Sequence, residues 1–186
     1  MIIYVHGFGS SGQGGKASLF REYFKKYNIP YIAPSLSYIP DLAVTTLEEL
    51  INSYPTVSLV GSSLGGFYAI YLAEKYRLKA VLINPAVKSE KTLKRHVELK
   101  ERAKSYYDGS HFEWRESYLD MLRKYVVEKL NRGEYLLMLN KGDEVLDYRD
   151  ALEKLPNAKK IIEEGGDHRF ENIDIYLEDI KEYLNC

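Results

Sequence analysis

The chain has 186 residues, enough for one domain with a substantial core, and 45% of them are hydrophobic while 28% are charged. Its 26 basic and 27 acidic side chains leave a net charge of −1, which gives no general case for binding nucleic acid. The one cysteine, Cys186, excludes a disulfide within the chain and favours a reducing compartment. Because neither a secretory signal nor an apolar run of membrane-spanning length is visible, we expect a cytoplasmic protein with no membrane partner.

Short apolar segments alternate with helical patterns along the whole chain. Strands are predicted at 2–5, 31–33, 56–60, 79–84, 135–140 and 159–163, and helices at 16–28, 45–53, 65–76, 148–155 and 170–184. Strands that are apolar on both faces are typical of a parallel sheet covered by helices. The pattern therefore predicts a doubly wound, mostly parallel six-stranded α/β sheet. Functional side chains are expected at the carboxyl ends of the strands, near the switch between strands 1 and 3.

The first predicted strand runs into the loop His6-Gly7-Phe8-Gly9. A tetrahedral intermediate needs two backbone N–H donors for its oxyanion, and a loop of this type after the first strand supplies one of them in hydrolases. Phe8 is the candidate donor, whereas we expect the His6 ring to brace the loop. The loop also contains a G-x-G-x-x-G pattern. No acidic residue follows the second strand, however, so a dinucleotide-binding oxidoreductase is disfavoured.

The pentapeptide Gly61-Ser62-Ser63-Leu64-Gly65 follows an apolar strand and precedes a helical pattern. Strand, tight turn with a central serine and helix form the context in which a G-x-S-x-G sequence makes a nucleophile elbow. The pattern predicts a strained turn that exposes the Ser63 hydroxyl at the end of the sheet. The flanking glycines fit a place where strand and helix come too close for side chains. Leu64, the residue after the serine, is the second expected oxyanion donor.

A serine hydroxyl needs a base to become a nucleophile, and the base needs a carboxylate to orient it. In hydrolases of this type the partners follow in the order Ser, Asp or Glu, His. Of the four histidines, only His168 lies beyond the last predicted strand. Asp143, just after the fifth strand, is the preferred acid. Asp147, which has the position of a helix N-cap, and Glu144 stay open as alternatives.

The segment 88–132 separates two strands and is too long for a plain crossover helix. Its pattern is mostly helical, and it carries 12 basic against 8 acidic residues. We interpret the chain as one domain, 1–186, with 88–132 as a helical, cap-like insertion after the fourth strand. A basic, aromatic cap would suit an acyl chain and an anionic leaving group such as coenzyme A. The insertion either binds substrate in this way or simply presents an ordinary solvated helical face. The second interpretation is favoured, because a modest charge excess rarely specifies a partner.

Taken together, these motifs resemble the small YqiA-like esterases of the α/β-hydrolase superfamily. The resemblance rests on five stretches spread over nearly the whole chain: 3–8, 60–69, 82–87, 142–149 and 164–170. It implies a small α/β-hydrolase fold with strand order 2-1-3-4-5-6, and a serine esterase that acts on short acyl esters or acyl thioesters. The family pattern also assigns the catalytic triad to Ser63, Asp143 and His168. Such a triad needs no metal and no cofactor. The expected partner is the small-molecule ester or thioester substrate itself.

The expected reaction is hydrolysis of a carboxylic ester through an acyl-enzyme intermediate. The alternative is a hydrolase-fold protein that binds a ligand or a partner without turning it over. Such a protein would be expected to lack a member of the triad, and this sequence lacks none. The acyl length, the choice among ester, thioester and amide, and the oligomeric state stay open from sequence.

Overall fold

The computed structural model describes residues 1–98 and 102–186. The first half of the chain forms β1 (Ile2–Val5), α1 (Gly15–Lys26), β2 (Tyr31–Ile32), α2 (Pro40–Asn52), β3 (Ser58–Ser62), α3 (Leu64–Tyr76) and β4 (Lys79–Ile83). Next come α4 (Ser89–Thr92), α5 (Lys94–Glu98), β5 (Ala103–Lys104), β6 (His111–Phe112) and α6 (Glu116–Arg123). The chain continues with β7 (Glu134–Asn140), α7 (Tyr148–Lys154), β8 (Lys159–Glu163), a 3-10 helix (Ile173–Tyr176) and α8 (Leu177–Leu184).

The main sheet has six strands in the order β2-β1-β3-β4-β7-β8, and every neighbouring pair is parallel. Since β7 and β8 are the fifth and sixth strands of this sheet along the chain, the predicted order 2-1-3-4-5-6 and the doubly wound α/β class are confirmed. From β1 the chain adds β2 on one side and then returns to add β3 and the later strands on the other side, so the direction of winding reverses between β1 and β3. The loops that follow these two strands therefore meet at the carboxyl edge of the sheet.

The two faces of the sheet carry separate cores, and β4 shows how the sequence builds both. Leu82 packs in the cluster that includes α2 and α3, while Val81 and Ile83 pack in the cluster that includes α1 and α8. All three side chains have no exposed surface. Burying such a side chain stabilises the fold by about 1.5–3 kcal/mol relative to leaving it exposed. The continuous apolar character of the strands thus follows from burial on both faces.

Several element boundaries differ from those predicted, and three of the differences have a bearing on the fold or the site. Helix α2 begins at Pro40 rather than at 45, because proline suits the first turn of a helix, where its missing N–H costs nothing. Strand β3 covers 58–62 rather than 56–60, so it runs through Gly61 and Ser62 into the turn. The predicted last helix, 170–184, is replaced by the 3-10 helix and by α8, which begins only at Leu177.

The insertion 88–132 contains more than helices, and its residues 99–101 lie outside the described part of the chain. Besides α4, α5 and α6 it forms the antiparallel hairpin β5–β6, which pairs Ala103 with Phe112. The helical spacing that continues to residue 129 does not form helix beyond Arg123. The chain after α6 is held elsewhere, because the Tyr125 hydroxyl donates to Asp41 of α2 at 2.7 Å.

In the described ranges, we find no helix with both the length and the apolar character needed to span a lipid bilayer.

Candidate active site

Ser63 occupies a strained turn between β3 and α3. Its backbone has φ 55° and ψ −121°, a region that residues with a side chain rarely adopt and that costs about 1–3 kcal/mol. Neighbouring backbone fixes this conformation: the Ser63 N–H donates to the Ile83 carbonyl at 3.1 Å, and the Ser63 carbonyl accepts from Gly66 and Ala86 at 2.9 and 3.0 Å. The turn therefore holds the serine hydroxyl at the carboxyl edge of the sheet.

The glycines beside Ser63 permit the close approach that the sequence predicts. A Cβ atom on Gly65 would lie 1.9 Å from the carbonyl oxygen of Val5 in the neighbouring strand. A Cβ atom on Gly61 would lie 2.5 Å from the carbonyl oxygen of Gly65. Real Cβ atoms do not approach oxygen so closely, so α3 packs against β1 and β3 in this way only with glycine at both positions.

Ser63, His168 and Asp143 lie in a row and are joined by hydrogen bonds. His168 Nε2 lies 3.0 Å from Ser63 Oγ, and His168 Nδ1 lies 2.8 Å from Asp143 Oδ2. The Asp143 side chain is 2% exposed and that of His168 is 18% exposed. A carboxylate can only accept, so Nδ1 carries the proton and the lone pair of Nε2 faces the serine hydroxyl. This is the tautomer that a base acting on Ser63 requires.

The loop after β7 holds the Asp143 carboxylate in place. Its Oδ1 atom accepts hydrogen bonds from the backbone N–H groups of Val145 and Leu146, both at 2.8 Å. The second oxygen, Oδ2, is then directed at the His168 ring. One carboxylate oxygen thus fixes the side chain, and the other orients the histidine.

The two alternative acids make different contacts. Asp147 caps α7 by accepting from the Arg149 N–H at 3.0 Å, and its hydrogen bonds to the Arg149 side chain lower its pKa to about 2. Glu144 accepts from the backbone N–H of His168 at 3.0 Å rather than from the ring. Hydrogen bonds from its own N–H and from that of His168 lower the pKa of Glu144. The structure therefore brings Asp143, and not Asp147, to the imidazole.

Two buried asparagines that the sequence analysis did not single out hold the histidine loop. Asn84 Nδ2 donates to the carbonyl oxygens of Asp167 and His168 at 3.0 and 3.2 Å, and Asn140 Nδ2 donates to that of Asp167 at 3.0 Å. Asn84 Oδ1 in turn accepts from the Asn140 N–H at 2.9 Å. Each asparagine follows or ends an apolar strand and is almost fully buried. A polar residue at the end of such a strand is the signal that could have identified them, since buried polar groups need partners.

The loop after β1 lies directly beside the serine. A Cβ atom on Gly7 would be 3.0 Å from Ser63 Cβ. Leu64 is the first residue of α3, so its N–H has no acceptor within the helix. The structure thus brings both expected oxyanion donors, Phe8 and Leu64, to segments that adjoin Ser63.

The His6 ring connects two loops at this edge. It is 7% exposed, its Nε2 atom accepts from the Leu36 N–H at 2.9 Å, and its Nδ1 atom lies 2.9 Å from the Gly7 carbonyl oxygen. Burial lowers the pKa of His6, which favours the neutral ring that these two contacts need. The contacts are those of a brace between the loops after β1 and β2.

The insertion holds the same loop from the other side. The Phe8 ring packs against His96, Phe112 and Trp114 with centroid distances of 5.1, 5.4 and 4.9 Å. The Tyr106 N–H donates to the Gly9 carbonyl at 2.7 Å. All four partners belong to the segment 88–132, and no local sequence pattern pointed to these contacts.

Two cavities differ in their relation to the serine. One of about 220 Å³ is lined by Gly7, Phe8 and Leu64, and so lies beside the turn that carries Ser63. The other, of about 550 Å³, lies at the amino ends of β4, β7 and β8, at the opposite edge of the sheet. Among the residues that the structure describes, no group of three or more His, Cys, Asp or Glu side chains is placed to hold a metal ion.

The chain has the α/β-hydrolase fold. Alpha/beta hydrolase domain-containing protein 10 from mouse superposes with a TM-score of 0.80 at 19% identity, covering 99% of this chain and 89% of that one. An esterase from Exiguobacterium antarcticum superposes with a TM-score of 0.66 at 14% identity, covering 100% of this chain and 91% of that one.

The chain belongs to UPF0227, described as an uncharacterised protein family, whose model matches residues 1–185. A UPF0227 protein of Vibrio parahaemolyticus is 26% identical over 191 residues, which cover 100% of this chain and 99% of that protein. The resemblance to YqiA-like α/β-hydrolases seen in the sequence is confirmed.

Proposed function

We propose that the protein is a serine carboxylic ester hydrolase that acts on short acyl esters or acyl thioesters. The observation that carries this proposal is the row from Ser63 through His168 to Asp143, with links of 3.0 and 2.8 Å. The strained backbone of Ser63 supports it, since strain of this kind is concentrated at functional sites. The whole chain, 1–186, is taken as one domain in which the segment 88–132 acts as a cap.

The first half of the reaction forms an acyl-enzyme. Ser63 Oγ attacks the carbonyl carbon of the substrate while His168 Nε2 takes the hydroxyl proton. Asp143 keeps the ring in the required tautomer and stabilises its charged form. The N–H groups of Phe8 and Leu64 bind the negative oxygen of the tetrahedral intermediate. His168 then gives its proton to the leaving oxygen or sulfur, and the carbonyl carbon stays bound to Ser63.

The second half releases the acid. A water molecule gives a proton to His168 Nε2 as its oxygen attacks the acyl carbon. A second tetrahedral intermediate forms on the same N–H donors. The bond to Ser63 Oγ then breaks, the serine recovers its proton from His168, and a carboxylic acid leaves. Every proton is carried by the histidine, so the cycle needs no group beyond the chain and water.

A fluorophosphonate probe, which reacts with activated serines, tests this proposal. We expect the wild type to be labelled and to hydrolyse p-nitrophenyl butyrate. Ser63→Ala should lose labelling and at least about 10,000-fold in rate, because the nucleophile is gone. Ser62→Ala, which removes the hydroxyl of the adjacent residue in β3, is the matched control and should keep both properties.

Two outcomes would contradict the proposal. Labelling or hydrolysis that persists in a folded Ser63→Ala protein would remove Ser63 from the mechanism. A folded wild type that neither reacts with the probe nor hydrolyses esters would favour the alternative, a hydrolase-fold protein that binds without turnover.

A further inference from the structure

The cavity of about 220 Å³ is built between the loop after β1, the loop after β2, α3 and the hairpin β5–β6. Both expected oxyanion donors, Phe8 and Leu64, line it. The rings of Tyr38, Tyr68 and Phe112 form other parts of its wall, as does that of His6. A carbonyl whose oxygen is bound by the two donors would therefore have one of its substituents directed into this cavity.

The position of His168 decides which substituent that is. The leaving group must lie within reach of His168 Nε2, because that atom supplies its proton. None of the described residues that line the cavity belongs to the loop of His168 or to the loop of Asp143. The cavity, which Ser63 itself does not line, thus adjoins the expected oxyanion donors rather than the proton donor. The group that enters it is the one that stays on Ser63, which is the acyl group.

The size and chemistry of the walls define the acyl group. The cavity is smaller than the roughly 300–1,000 Å³ of sites for drug-sized ligands, so it suits a compact group. No Lys, Arg, Asp or Glu is found among the described lining residues. Both ring nitrogens of His6 are engaged by backbone groups, and four aromatic rings supply most of the apolar wall. Burying a charged acyl group here would leave that charge unpaired, at a high cost in free energy.

Phe112 closes the cavity on the side of the insertion. Its ring lies 4.8 Å from that of Tyr38 in a stacked arrangement and 5.4 Å from that of Phe8 in an edge contact. It is carried by β6, and it is only partly buried. Phe112 packs at the margin of the cluster that includes α2 and α3 rather than inside it, so shortening its side chain opens the cavity toward the hairpin.

We propose that this cavity is the acyl subsite, that it takes a compact, uncharged acyl group, and that Phe112 limits the length of that group. The inference rests on the proposed function, since it needs an acyl-enzyme on Ser63. It adds that the acyl group carries no charge, and it adds a residue that determines specificity, drawn from the segment of the chain that separates β4 from β7.

A series of p-nitrophenyl esters tests the acyl subsite, because it keeps the leaving group constant while the acyl chain grows from acetate through butyrate and octanoate to laurate. For the wild type we expect kcat/KM to be highest at acetate or butyrate and at least about tenfold lower at octanoate, since surplus methylenes do not fit. Phe112→Ala should raise the octanoate-to-butyrate ratio of kcat/KM by about tenfold, and Phe112→Leu by less.

Tyr107→Ala is the matched control. Tyr107 lies at the tip of the same hairpin, is 58% exposed and does not line the cavity, so the ratio should stay within about twofold.

Fluorophosphonate labelling of every variant separates the two levels of the proposal. A labelled, folded Phe112→Ala protein with an unchanged ratio would overturn the acyl subsite alone. So would a wild type that hydrolyses laurate as well as butyrate. Absence of labelling in the wild type would overturn the proposed function, and the acyl subsite with it.

Discussion

The carboxyl edge of the sheet and the insertion 88–132 both shape the site, but they are held in place differently. At the edge, Asp143 is fixed by N–H groups two and three residues further along the chain. Ser63 is fixed by backbone at the ends of its own strand and of β4. The Phe8 loop is instead held by side chains and backbone of the insertion, which lie far from it along the chain.

This difference separates two roles. In the proposed mechanism the edge sets the chemistry, because strand ends and tight turns determine where the proposed nucleophile, base and acid lie. The insertion then sets the position of one proposed oxyanion donor and the size of the proposed acyl subsite. Each aromatic pair adds only about 0.5–1.5 kcal/mol beyond its buried area. The insertion therefore holds the Phe8 loop through several modest contacts rather than through one strong one.

A large difference in activity is expected between variants of the two aspartates at the edge. Asp143→Asn should lower kcat about 1,000- to 10,000-fold, because an amide favours the wrong tautomer of His168. Asp147→Asn should keep kcat within about threefold, since Asp147 caps α7 and binds Arg149 rather than the imidazole. Steady-state kinetics of the two variants with p-nitrophenyl butyrate make the comparison. Equal losses in both, or a larger loss in Asp147→Asn, would contradict the assignment of the acid.

A smaller effect is expected where the insertion meets the Phe8 loop. A Cβ atom on Gly9 would lie 2.5 Å from the Lys104 carbonyl oxygen, so Gly9→Ala should push the hairpin off the loop and displace the Phe8 N–H. We expect kcat to fall about 100-fold, the usual cost of losing one oxyanion donor. Steady-state kinetics with p-nitrophenyl butyrate measure this fall in kcat.

Gly109→Ala is the matched control for this variant. Gly109 lies between β5 and β6 and also has a positive φ, 74° against 67° for Gly9, but a Cβ atom there would meet nothing within 4 Å. Both variants should lose about 1 kcal/mol of stability from backbone strain, and only Gly9→Ala should lose activity. Equal activity of the two proteins would show that the hairpin does not position the loop.

The smallest expected effect is on the pH dependence of stability, to which the His6 ring contributes. Burial lowers the pKa of His6 below its usual 6.5, so below that pH the unfolded chain takes up a proton that the folded chain does not. The free energy of unfolding should therefore decrease as the pH falls from 7.5 to 5.5, measured by urea denaturation. His6→Gln should weaken this pH dependence. A His6→Gln protein with the full wild-type dependence would contradict this account of the brace.

The sequence predicted the edge far better than the insertion, for physical reasons that particular residues illustrate. The six strands follow from apolar runs such as that of β4, while their order follows from the resemblance to small hydrolases. Ser63 follows from a turn whose glycines are needed locally. The asparagines that hold the His168 loop, Asn84 and Asn140, give only a weak signal, because their partners lie in another loop. The packing of Phe112 on Phe8 gives no local signal at all.

The most direct test of the central claim is to look for the acyl group on Ser63. The wild type would be mixed with p-nitrophenyl butyrate, quenched in acid within the first turnover and analysed by peptide mass spectrometry. We predict a butyryl group on the peptide that contains Ser63, with the modification at that serine, and none in Ser63→Ala. Release of p-nitrophenol by the wild type with no adduct on Ser63, or with an adduct on another residue, would contradict the account.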